Sequence, residues 1–118
     1  MHINLRNLEQ FSDDGYSLKG VCKGEQCETV LLLLKAGQQL PPHPHDRFEV
    51  LLMPQKGVGR MTVDGSKEVD LTPDCVYYEP VGRTIGIANT GDTPLQVLIT
   101  LVRIGASEPP AELHNIAS

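Results

Sequence analysis

The sequence predicts an all-β domain, and three observations carry that prediction: dense Gly and Pro punctuation, short aliphatic runs between the turns, and one strong hairpin signal. Gly and Pro, at 11 and 9 of 118 residues, interrupt the middle of the chain too often for an amphipathic helix to run through it. Short strands at this density imply a sandwich or barrel, because each strand must hide one face and each sheet edge must be covered or closed.

The elements follow in order. Residues up to about Glu25 are mixed and loosely patterned, and read as an N-terminal strand or arm that ends near residue 28. Thr29-Val30-Leu31-Leu32-Leu33-Leu34-Lys35 is an aliphatic run closed by Ala36-Gly37, and Arg47 to Met53 is another closed by Pro54. Both read as buried strands bounded by turns. Arg60-Met61-Thr62-Val63 meets Asp64-Gly65 and continues as Lys67-Glu68-Val69-Asp70-Leu71, a hairpin pattern. Cys75 to Glu79, Thr84 to Ala88 and Leu95 to Arg103 complete at least seven strands. Ser107-Glu108-Pro109-Pro110 then breaks the pattern, leaving a polar tail over 104–118. The whole chain, 1–118, reads as one domain with its barrel core at about 29–103.

Composition removes several function classes. Fifteen acidic against ten basic residues give a formal charge of −5 with no local Lys/Arg cluster, so a phosphate-tracking surface is not expected. No Trp, two Phe and three Tyr offer few rings for base stacking. The segment Met1-His2-Ile3-Asn4-Leu5-Arg6 lacks an apolar signal core, and Val30 to Leu34 is too short to span a bilayer. A soluble, cytoplasmic protein is the expectation, with neither nucleic acid nor membrane as partner. The three cysteines, Cys22, Cys27 and Cys75, are an odd count and read as free thiols. Cys22 and Cys27 have a zinc-compatible spacing, but no second Cys or His pair follows at the right distance.

The chemistry concentrates in Pro41-Pro42-His43-Pro44-His45-Asp46-Arg47-Phe48-Glu49. In an extended segment residues two apart point the same way, so His43, His45 and Glu49 can share one face and surround one point. Two imidazoles and a carboxylate suit a divalent metal (Fe, Mn, Ni or Zn) and leave coordination positions open.

This segment resembles the first signature of the cupin superfamily: Gly37, five residues, His43-Pro44-His45, three residues, Glu49, then seven residues before Gly57, one more than the pattern. The second signature is similar to Asp74, five residues, Pro80-Val81-Gly82, two residues, Ile85, three residues, Asn89. Asp74 stands where the pattern has Gly, and Ile85 stands where metal-binding cupins usually have a third imidazole. The resemblance covers roughly Thr29 to Arg103 and implies a double-stranded β-helix, the jelly-roll barrel of small single-domain cupins.

With Ile85 in the imidazole position, the resemblance leaves His43, His45 and Glu49 as a weaker metal site beside a small polar or anionic metabolite. Any reaction would be metal-assisted: oxygenation, isomerisation or lyase chemistry, among which the fold does not choose. The rival is a metal-free, non-catalytic module whose apolar pocket, lined partly by Ile85, binds an organic ligand. Arg83, in the turn beside Ile85, is placed to grip a ligand carboxylate. Tyr77 and Glu79 share a face opposite Tyr78, so one tyrosine enters the barrel, with Tyr77 the candidate ligand contact. His114 is a distant replacement ligand should the tail fold over the mouth. A homodimer is expected, with the N-terminal arm able to lend a strand to a neighbour.

Overall fold

A computed structural model describes residues 1–104; the rest of the tail, including His114, lies outside the described residues. Among residues 1–104 the chain forms a short 3-10 helix, Leu5–Leu8, and nine strands. They are β1 (Ser17–Lys23), β2 (Cys27–Leu34), β3 (Gln39–His45), β4 (Phe48–Lys56), β5 (Gly59–Val63), β6 (Lys67–Leu71), β7 (Tyr77–Glu79), β8 (Arg83–Asn89) and β9 (Leu95–Arg103). Two antiparallel sheets face each other, one ordered β1-β2-β9-β4-β7 and the other β3-β8-β5-β6.

Alternation along the strands builds the core between the sheets. Leu32 and Leu34 of β2, Val50 and Leu52 of β4, and Val97 and Ile99 of β9 meet Met61 and Val63 of β5 and Ile85 and Ile87 of β8. Each such side chain, taken out of water, contributes about 1.5–3 kcal/mol. At one end Asn89 fastens the bends: its amide nitrogen donates to Leu34 O at 3.0 Å and Thr93 O at 2.9 Å, and its oxygen accepts from Gly91 N at 3.0 Å. These bonds satisfy a polar side chain that is otherwise buried.

Leu31 and Leu33 alternate with the core leucines and therefore lie on the opposite face of β2, yet neither is exposed. The N-terminal segment lies on that side. Leu5, Arg6 and Glu9 share a surface depression with Gln96, the cross-strand partner of Leu33. Lys56 holds Glu9 at 2.9 Å, and Gln38 donates to Ser12 O at 2.7 Å.

The structure places a strand in the N-terminal segment and moves several boundaries. Within the strand or arm expected over 1–28, β1 pairs with β2 of its own chain, so this strand is already used within its own sheet. Pro54 does not end its strand; β4 runs through it to Lys56, with a register shift against β9 between Pro54 and Lys56. Among the described residues no helix is long and apolar enough to cross a membrane.

Candidate functional site

The sheets part on the side of β1, β2 and β3, leaving a cavity of about 350 Å³. Its wall is hydrocarbon: Val30, Leu40, Val50, Leu52, Ile85, Ile87, Ile99 and Leu101. Polar groups sit at the rim, where His43, His45, Glu28 and Tyr16 line it. Tyr16 and Leu18, 42% and 44% exposed, complete the edge.

Local structure explains how β3 delivers its imidazoles. Leu40 and His43 are three residues apart, a spacing that would normally send them to opposite faces, but a register shift between them against β8 lets both reach the cavity. Gly86 permits this bulge, since a Cβ there would lie 3.1 Å from the Pro42 ring. His43 then pairs directly with Ile85, and His45 with Arg83.

His43 Nδ1 lies 2.5 Å from Pro41 O. A carbonyl only accepts, so Nδ1 carries a proton, and in the neutral tautomer the lone pair is on Nε2. Burial pushes the His45 imidazole below its usual range, the nearby His43 ring adds to that, and Asp46 opposes it. The unfolded chain takes up this proton near pH 6.5 while the folded chain does not, so the contribution to stability is full above that pH and falls as pH drops towards the folded value. The melting temperature should therefore decline between pH 7 and 5.5 by more in the native protein than in His45→Gln. Equal declines in thermal melts would remove His45 as the source.

Glu49 does not join the imidazoles. Asp46 and Arg47 form a turn in which the chain passes from one sheet to the other, so alternation along β3 does not continue into β4. Val50 and Leu52 take the inward positions, and Glu49 lies on the outer face, accepting a hydrogen bond from the Tyr78 hydroxyl. That bond is the main reason the Tyr78 phenol is pushed up to about 12. The expected triad of His43, His45 and Glu49 is thus split across the sheet, and no group of three or more His, Cys, Asp or Glu that could hold a metal occurs among the described residues. The donors do not fit the metal that the resemblance implies: two imidazoles reach the cavity, the carboxylate points away, and Ile85 has no lone pair. Cys22, Cys27 and Cys75 are free thiols.

The remaining candidates divide. Ile85, 3% exposed, forms part of the cavity wall. Arg83 is turned elsewhere, donating to Asp64 Oδ2 at 2.9 Å, so it brings no positive charge to the cavity. Tyr77, not Tyr78, packs against the core, but its hydroxyl accepts from Thr72 N at 3.1 Å and it does not line the cavity. Glu28 is the polar residue that sequence reasoning missed. Starting β2 at Cys27 instead of Thr29 would have revealed it, since Glu28, Val30, Leu32 and Leu34 then share one face.

Two facing antiparallel sheets closed over an apolar cavity define a double-stranded β-helix. Residues 30–101 match the family described as Cupin domain, and the chain belongs to that family. Among solved structures it is similar to TT1209 from Thermus thermophilus, with a TM-score of 0.80 at 20% identity, covering 86% of this chain and 96% of that one. An RmlC-like cupin from Desulfovibrio desulfuricans gives 0.77 at 26% identity, covering 86% and 95%. A double-stranded β-helix protein from Klebsiella pneumoniae gives 0.82 at 14% identity, covering 90% and 87%. No curated protein matches the chain.

Proposed function

We propose that this cupin is a small-molecule-binding module which encloses a mostly apolar ligand and reads one polar group of it at the rim, without a resident metal. The observation that carries this is the cavity wall: eight aliphatic side chains surround the space, and the imidazoles stand only at its edge. Cavities of about 300–1,000 Å³ with few convergent polar groups are the usual form of small-ligand sites. A neutral His43 presents Nε2 as an acceptor, which suits a ligand hydroxyl or amine better than a carboxylate.

The test uses straight-chain alcohols of four to eight carbons, followed by thermal shift and calorimetry. The native protein should be stabilised in proportion to alcohol concentration, and Leu101→Trp, which fills the cavity from its wall, should lose the response. No stabilisation by any of the series overturns the reading. So does near-stoichiometric Fe, Mn, Ni or Zn retained after gel filtration and removed by both His43→Ala and Glu49→Ala.

A homodimer belongs to the same proposal. It is supported by β1, which forms one edge of its sheet and carries the exposed Leu18. Light scattering at micromolar concentration should give twice the chain mass; a monomer mass removes this part.

A further inference from the structure

We infer that the cavity selects organic ammonium ions, primary or secondary amines carried on an apolar body, with Glu28 as the group that recognises the charge. This rests on the cavity being a ligand site, and adds the class of ligand. Glu28 lines the cavity on the same face of β2 as Val30, and its cross-strand partner on β9 is Leu101, itself a wall residue. It is therefore a carboxylate aimed along a hydrocarbon wall, half-buried and not at the open surface.

The charges around it decide the sign of the ligand. Among the described lining residues there is no Lys or Arg, and Glu28 is the one carboxylate. Arg83, the residue expected to grip an anion, is held by Asp64. Lys23, the neighbour of Glu28 on β1, is exposed, and none of the ion pairs found among the described residues joins the two. An anion entering this space would meet the like charge of Glu28 and no Lys or Arg in the cavity lining, in surroundings that screen poorly. An ammonium would meet Glu28 and carry several N–H donors. A second acceptor lines the same cavity in the neutral tautomer of His43, whose Nδ1–H goes to Pro41 O and whose lone pair is on Nε2. Both acceptors line the same cavity as Leu52, Ile87 and Ile99, against which an apolar tail would lie.

Three probes of one chain length separate the claims: hexylammonium, hexanol and hexanoate, titrated by calorimetry at pH 7.5 into the native protein, Glu28→Gln and Glu28→Lys. The native protein should bind hexylammonium about tenfold more tightly than hexanol, the usual advantage of a charge-assisted hydrogen bond, with hexanoate weakest. In Glu28→Gln the ratio of ammonium to alcohol affinity should fall from about ten to about one, and in Glu28→Lys hexanoate should become the preferred ligand. Equal affinity for hexylammonium and hexanol in the native protein, or a preference that survives Glu28→Gln, overturns this inference and leaves the ligand cavity standing. Failure of all three probes to bind overturns the cavity reading and this inference with it.

Discussion

Ile85→His is expected to create a tight zinc site where the native chain offers only two imidazoles. His43 and Ile85 are direct cross-strand partners, and such pairs hold their Cβ atoms about 4.5–5.5 Å apart. His45 lies two residues further along β3 and lines the same cavity. Zinc accepts three imidazole nitrogens with water in the fourth place, and the bond from His43 Nδ1 to Pro41 O already fixes one ring with Nε2 as the donor. Without metal the variant should lose about 1–3 kcal/mol, because an imidazole replaces a hydrocarbon at a position only 3% exposed. With zinc at a hundred times its dissociation constant it should regain about 2.7 kcal/mol. Cobalt absorption spectra and thermal melts with and without metal read both effects. A variant with no tetrahedral cobalt spectrum and no metal-dependent melt would falsify the convergence of the two native imidazoles on Ile85.

The second large effect is structural. Gly57 follows β4 at φ +78°, and a Cβ there would stand 2.3 Å from Pro94 O and 3.1 Å from Leu95 Cα. Both are backbone atoms, so Gly57→Ala must displace the bend that leads into β9, beside the Asn89 hydrogen bonds to Thr93 O and Gly91 N. A loss above about 3 kcal/mol is expected, combining left-handed strain with a clash that no side-chain rotation relieves. Gly65→Ala provides the comparison, since its φ of +75° is similar but nothing lies within 4 Å of the added Cβ. That change should cost about 1 kcal/mol, the conformational part alone. Urea denaturation measures both; equal losses would mean that close backbone approach is not what reserves position 57 for glycine.

The legible parts of the sequence were those governed by local rules. The Asp64-Gly65 hairpin joins β5 to β6 with both residues at positive φ, +53° and +75°, as the twist of a tight hairpin favours. Asp74, standing in a signature position for glycine, keeps the left-handed backbone at φ +67°. The segments read at Thr84 to Ala88 and Leu95 to Arg103 are β8, one residue longer at each end, and β9. β1 was hidden because its pattern is half-exposed throughout, with Leu18 at 44% and no fully buried position. The direction of Leu31 to Leu34 could not be read either: both faces of β2 are buried, so the apolar run carries no alternation.

By itself the sequence determined seven of the nine strands, the Asp64-Gly65 hairpin and the family, because these follow from spacing along the chain: alternation, glycine at left-handed positions, and the two signature segments. Only the tertiary structure decided which side chains meet. Parity is conserved within a strand but not across a turn between sheets, and Asp46-Arg47 is such a turn. It sends Glu49 outward to Tyr78 and leaves Val50 facing the cavity, while pairing of β2 with β9 brings Glu28 to the same cavity as the imidazoles.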